Sequence, residues 1–393
     1  MLGMIIKQKR EEIGISQEAL AKGICAVSYL SKIENEQVIG SEQIMSALFN
    51  KLEIEYVVDI DVIARFKSEY IKWLDLLTYE DDLEEIYSVD MYHLANRMIN
   101  SSEIINALFY KSFYENRYEM DTFDIKQLKG FAANMDSTQL VLLALIESYY
   151  NHNKGKLKQA IDVLNRTLIY DTVGLIRCQL VRLYFLSGMY SEAIEEGKRA
   201  LVICAENGRL NSMHMITLLI AYSYSNLFDE ENMIKYYNLS DKYTKYLKRP
   251  LSVEEDYNIG ASYLTLGKYE LAQTYLEKAM NNRTNLDIVR QKLGFVYALL
   301  GKSDDALNQV DILKKSNEVL YQKSAVIIEL IATDSKYLES KRYLDLLEES
   351  YEYVLSFSHH GYSQFFALLL KEAYIANRMY KKALEITEKF KFS

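Results

Sequence analysis

Six short segments of this chain repeat one pattern at a nearly constant interval. Gly155 to Ala160, Gly188 to Ala193, Gly267 to Ala272 and Gly301 to Ala306 each set a glycine five residues before an alanine. Ser335 to Ser340 and Arg378 to Ala383 are weaker copies. The starts lie 33 residues apart from 155 to 188, and 34 apart from 267 to 301 and from 301 to 335. The 79-residue gap from 188 to 267 has room for a degenerate copy around Phe228 to Met233, and the last step of 43 implies a longer connection. Glycine ends one helix in a left-handed turn, and alanine lets the next helix come close. A tyrosine four residues before the glycine (Tyr184, Tyr263, Tyr297) is placed to pack across that approach. The pattern predicts an array of helical hairpins.

Composition agrees with continuous helix. The chain of 393 residues contains one proline, Pro250, and 33 tyrosines. Proline removes a backbone donor and breaks helices, whereas tyrosine suits contacts that are half apolar and half wet. A period near 34 in helical sequence resembles the tetratricopeptide repeat. The expectation is an all-α protein whose residues 79–393 form a right-handed superhelical solenoid, with clear repeats from about 139. Residues 57–78, which include Trp73, are expected to form a linker helix.

Several function classes are disfavoured. Cys25, Cys178 and Cys204 are widely spaced and odd in number, so reduced thiols and a cytoplasmic address are expected. The one adjacent histidine pair, His359-His360, faces different directions on a helix, and no metal or cofactor is expected. Lys7, Lys9, Arg10, Glu11 and Glu12 interrupt any apolar signal core, and no run is apolar enough to span a bilayer. No phosphate-binding loop, nucleophile elbow or zinc-protease motif occurs, so an enzyme is not expected.

The first 56 residues read differently from the rest. Leu2 to Ile13 is a helix ended by Gly14, and Ser16 caps a helix from Gln17 to about Ile24. Ser28 is a candidate cap for a helix from Tyr29 to about Asn35, and Ser41 caps a helix to about Leu52. Two short helices and a tight turn inside a four-helix packet are the layout of a helix-turn-helix domain. The runs Ile15 to Ala21 and Tyr29 to Asn35 resemble the Cro/C1-type (XRE) helix-turn-helix, a lambda-repressor-like fold, in the version carried by peptide-responsive regulators of the PlcR type.

That resemblance implies DNA contacts from Gln17 at the start of the second helix, and from Ser28, Tyr29, Ser31 and Lys32 on the recognition helix. Lys7, Lys9 and Arg10 are expected to add backbone contacts from the first helix. Two features depart from the pattern. Residues 1–56 carry six Lys/Arg against eight Asp/Glu, a net charge of −2. Glu36 stands where the family usually has glycine. Modest affinity per head then requires a homodimer on paired half-sites.

A head of this type on a repeat array resembles the RRNPP group of peptide-pheromone receptors, which includes the PlcR, NprR, Rgg and AimR types. The resemblance implies a quorum-sensing transcription regulator that binds double-stranded DNA and a short signalling peptide. In the repeat register the inward candidates are Asn153, Arg182, Tyr222, Asn226, Tyr257, Gln291 and Glu329. Asparagine both donates to and accepts from a peptide backbone, and Arg182 suits a carboxylate. The competing expectation is a Rap-like sequestering regulator, or a protein-binding scaffold, with a vestigial head. The acidic cluster Glu80-Asp81-Asp82 with Glu84-Glu85 would then serve a partner.

Overall fold

A computed structural model describes residues 2–79, 86–118, 125–248, 251–281, 287–357 and 360–390. Pro250, His359 and the acidic cluster at 80–85 lie outside the described residues. Among those described, the regular elements are all helices, and none is long and apolar enough to cross a membrane. The chain divides into two compact units, 1–176 and 177–393.

The first unit begins with α1 (Leu2–Glu12), α2 (Gln17–Ala21), α3 (Val27–Glu34) and α4 (Glu42–Lys51). Ile5, Ile6, Leu20, Leu30, Ile33, Leu48 and Phe49 bury a shared core. A Cβ on Gly3 would lie 1.8 Å from the Ile33 carbonyl oxygen, so only glycine lets α1 approach α3 this closely. Ser16 caps α2 by accepting from the Ala19 amide at 3.1 Å, and Ser41 caps α4 by accepting from Ile44 at 3.4 Å.

Two expectations about this packet are corrected. Helix α2 ends at Ala21 rather than near Ile24, because Gly23 enters the left-handed region (φ +82°). Helix α3 starts at Val27 from an extended Ala26, so Ser28 lies inside the first turn and its hydroxyl is not the cap. Glu36 stands at φ +56°, the conformation glycine would supply there, and its carboxylate accepts from the Met4 amide at 3.1 Å.

Beyond the packet come α5 (Ile60–Tyr79), α6 (Val89–Met98), α7 (Ile104–Arg117), α8 (Ile125–Gly130), α9 (Ser137–Asn153) and α10 (Leu157–Thr167). Trp73 anchors α5. Its ring packs on Tyr70, Tyr110 and Phe113 at centroid distances of 5.2, 5.4 and 5.5 Å, separations at which aromatic pairs attract.

The second unit takes in most of α11 (Leu175–Leu186), then α12 (Tyr190–Glu206), α13 (Leu210–Asn226), α14 (Glu230–Leu247), α15 (Val253–Thr265) and α16 (Tyr269–Asn281). It continues with α17 (Asp287–Leu299), α18 (Ser303–Leu313), α19 (Val319–Thr333), α20 (Lys341–Phe357), α21 (His360–Ala376) and α22 (Tyr380–Phe390). These pack as successive antiparallel pairs. Ala193, Ala272 and Ala306, the repeat alanines, are completely buried.

One turn recurs inside the pairs. At Gly188, Gly267 and Gly301 the chain enters the left-handed region, and the next amide bonds back to the tyrosine carbonyl four residues before the glycine. Met189 donates to Tyr184, Lys268 to Tyr263 and Lys302 to Tyr297, each at 2.9 Å. This is the helix-ending bond that satisfies an orphan carbonyl. Phe228 (φ +59°) and Arg378 (φ +60°) make the same turn without glycine, through Asp229 to Tyr224 and Met379 to Tyr374. The degenerate copy near 228 is therefore a full structural unit, and Tyr224 and Tyr374 join the tyrosine series. The copy at Ser335 differs. Asp334 accepts from the Lys336 amide at 2.9 Å, and a short turn at Tyr337–Glu339 replaces the glycine geometry.

Cys178 and Cys204, far apart in sequence, bring their sulfurs to 3.7 Å without a disulfide. The fully buried Arg209 reaches both.

Candidate functional site

Two surfaces merit a functional reading, one in each unit. In the first, the exposed side of α3 carries Ser28, Ser31 and Lys32, with Asn35 as its C-terminal cap, spaced three and four residues apart. The opposite side buries Leu30, Ile33 and Glu34. Ser28 and Lys32 are exposed, and Ser31 and Tyr29 are half-buried. Short hydroxyls and one flexible cation present on a single helix face can reach base edges and phosphates.

What aims this face is a buried ion pair. The Arg10 guanidinium donates to both carboxylate oxygens of Glu34, at 2.6 and 2.9 Å, and to the Ile15 carbonyl at 3.0 Å. The Gln17 amide donates to the same carboxylate at 2.7 Å. One glutamate at the end of α3 thus ties down α1, the turn after it and the start of α2. Hydrogen bonding to Glu34 raises the Arg10 pKa against the opposing effect of burial. The expectation for Arg10 is corrected here. It is 9% exposed and braces the packet instead of reaching outward. Gln17 is likewise turned toward Glu34. Lys9 pairs with Glu12 at 3.4 Å on the surface, which fixes little, and Lys7 is half-buried.

The second surface is a cavity of about 340 Å³ in the unit 177–393. It lies among α11, α13, α15 and α17, the first helices of four successive pairs, and the start of α21. Of the expected peptide contacts, Arg182, Tyr222, Asn226 and Tyr257 line it. Arg182 is exposed, and no described carboxylate pairs with it. The Tyr222 hydroxyl is buried without a hydrogen-bond partner, and burial holds it well above the usual tyrosine range. Asn226 uses its amide on the Tyr222 carbonyl at 2.7 Å.

Three expected contacts do not line this cavity. Gln291 is fully buried, donating to Ser324 at 2.6 Å and accepting from Tyr362, because its side chain points into the packing between helices. Glu329 forms an ion pair with Lys314 at 3.0 Å. Asn153 belongs to the first unit, where it donates to Asn116 at 3.1 Å.

Sequence reasoning missed the cavity's most unusual residue. Lys292, one turn beyond Ile288 on α17, is 3% exposed and lines the cavity. Its ammonium sits 3.1 Å from the Phe365 ring centroid and 4.6 Å from that of Tyr362. Burial drives its pKa well below the usual lysine range, with no carboxylate among the described residues to offset it. The repeat register offered no signal for this. Both rings come from α21, whose first turns reach elements distant in sequence. Gln364 donates to the Asn226 carbonyl at 2.9 Å and accepts from Tyr190 at 3.3 Å, and His360 shares a hydrogen bond with Tyr190 at 3.1 Å.

Comparison with known proteins bears on the fold of both units. Residues 6–56 match the helix-turn-helix family model, and residues 257–284 match the tetratricopeptide repeat model. The transcriptional activator NprA of Geobacillus stearothermophilus is 25% identical over 377 residues, which cover 87% of this chain and 83% of that protein. Among solved structures, a Rap protein complexed with competence and sporulation factor superimposes with a TM-score of 0.57 at 14% identity, over 83% of this chain and 99% of that one. The apo form of the quorum sensor NprR from B. thuringiensis gives 0.54 at 17% identity, over 84% and 98%. The fold is therefore all-helical among the described residues, with a helix-turn-helix head and tetratricopeptide-like repeats, and it resembles the folds of the quorum sensor NprR and of a Rap protein.

Proposed function

We propose that this chain is a sequence-specific DNA-binding transcription regulator, controlled by a short signalling peptide held in the cavity of its second unit. The observation that carries the reading is the coexistence, in one chain, of a braced recognition helix and a cavity built from the first helices of successive repeats. The length-wide similarity to a transcriptional activator supports the DNA half. The similarity in fold to a quorum sensor and to a Rap protein bound to a signalling factor supports the peptide half. The head is not worn down: its caps, its Arg10–Glu34 brace and its exposed Ser28 and Lys32 are intact. That favours a DNA-reading protein over a sequestering regulator with a vestigial head.

The geometry supports the following roles. Ser28, Tyr29, Ser31 and Lys32 read the groove, and Lys7 and Lys9 meet phosphates. Gln17 and Arg10 hold the orientation. In the cavity, Asn226, Tyr222 and Tyr257 grip the peptide, and Arg182 meets an anionic group at its edge. A head of net charge −2 binds as one of a homodimeric pair, in the cytoplasm where DNA and imported peptide meet. The peptide acts through unequal affinity for two arrangements of the dimer.

An enzymatic role is not part of this reading. A Ser240–His214–Glu255 chain has hydrogen bonds of 3.0 and 2.9 Å. Ser240 and His214 are almost fully enclosed, which favours a structural role for this chain of hydrogen bonds.

Footprinting on the DNA flanking the protein's own gene tests the proposal, with and without peptides from conditioned medium. A protected site whose occupancy changes with peptide is expected. No protection under either condition would overturn the regulator reading, and protection indifferent to every peptide would overturn the receptor half.

A further inference from the structure

We propose that the Lys292 ammonium is a built-in counter-ion for a carboxylate of the bound peptide, so that the cavity selects an anionic ligand. This rests on the receptor reading and deepens it. A lysine left only 3% exposed loses most of its hydration, which the protein normally returns through a paired charge. Here the described residues supply none. What they supply is two aromatic faces, Phe365 at 3.1 Å and Tyr362 at 4.6 Å. Cation–π attraction to such faces offsets part of that loss but supplies no counter-ion.

The surroundings fix the position of that charge. Tyr362 is held by its hydrogen bond to Gln291, itself bonded to Ser324. The two rings therefore orient the ammonium without neutralising it. Tyr222 belongs to the same lining, and its enclosed hydroxyl also lacks a partner. A carboxylate entering this cavity would satisfy the ammonium. The exposed Arg182 lines the same cavity but is solvated, so its contribution is smaller. The carboxylate is either the peptide's free C-terminus or an Asp/Glu side chain, and both present the same two oxygens.

Burial also gives the proposal a pH signature. With its pKa pushed down in the empty cavity, Lys292 must be protonated to hold the carboxylate. Ligand affinity should weaken as pH rises, and binding should take up protons.

The test uses the full-length chain and a random synthetic hexapeptide pool, with bound peptides recovered by size exclusion and identified by mass spectrometry. Each recovered peptide is then titrated as the free acid, as the C-terminal amide, and with Asp/Glu replaced by Asn/Gln. Lys292→Met keeps the length of the side chain and removes the buried charge, so the folded apo protein should melt no lower than wild type. The expected result is about 100-fold weaker binding to Lys292→Met. One of the two peptide changes should cost the wild type a similar factor and the variant almost nothing, and it identifies which carboxylate is held. Arg182→Gln should cost less than tenfold. If carboxylate removal costs wild type and Lys292→Met equally, the counter-ion is refuted while the receptor reading stands. If no peptide is recovered from the wild type, both are refuted.

Discussion

Glu34 receives the Arg10 guanidinium on both of its carboxylate oxygens, at 2.6 and 2.9 Å, at the point where α1, α2 and α3 converge. The Glu34 side chain is fully enclosed and that of Arg10 is 11% exposed, so each depends on the other for solvation. Removing one partner strands the other. Glu34→Ala should destabilise the packet by about 3–5 kcal/mol. The change should appear as lost amide hydrogen-exchange protection across residues 2–52. Protection close to that of wild type would show that the pair is dispensable.

Ser28 and Lys32 make the opposite case. Both are exposed and bear no part of the core. The double variant Ser28→Ala, Lys32→Ala should retain wild-type helicity and melting temperature while losing DNA protection. Retained protection would place the reading face elsewhere.

The recurring turn predicts paired, opposite effects. Gly267 sits at φ +70°, and a Cβ added there would meet nothing within 4 Å, so Gly267→Ala carries backbone strain alone. It should destabilise the second unit by about 1 kcal/mol. Arg378 makes the same turn at φ +60° on the surface, and Arg378→Gly should stabilise by up to about 1 kcal/mol. Denaturant melts of both variants check the signs.

His360 supplies a pH dependence. Burial, aided by the charge of Lys389, lowers its pKa from 6.5. The unfolded chain therefore binds a proton at higher pH than the folded one. Stability from neutral His360 is full above pH 6.5 and is lost as pH falls through the folded value. The drop in melting temperature from pH 7.5 to 5.5 should be smaller in His360→Gln than in wild type. An equal drop would remove His360 from the account.

Much of the fold was legible because it is written in local chemistry. The glycines at 188, 267 and 301 mark their own turns, and Ser16 and Ser41 mark their own helix starts. Phe228 and Arg378 were harder, since a left-handed non-glycine residue leaves no such mark. The site was legible only in part. Arg182, Tyr222, Asn226 and Tyr257 share a cavity because repeat register places first helices side by side. Lys292 escaped notice because its environment is made by Tyr362 and Phe365, some seventy residues away in sequence. Arg10 looked like a surface cation until Glu34, 24 positions later, closed on it.

The central claim is that one chain couples peptide in the second unit to DNA at the head. Coupling is reciprocal, so operator DNA must shift peptide affinity by the same factor by which peptide shifts DNA affinity. The direct measurement is peptide titration of the full-length protein with and without saturating operator. The account predicts equal shifts of about 5- to 150-fold. Peptide affinity unchanged by DNA would contradict it.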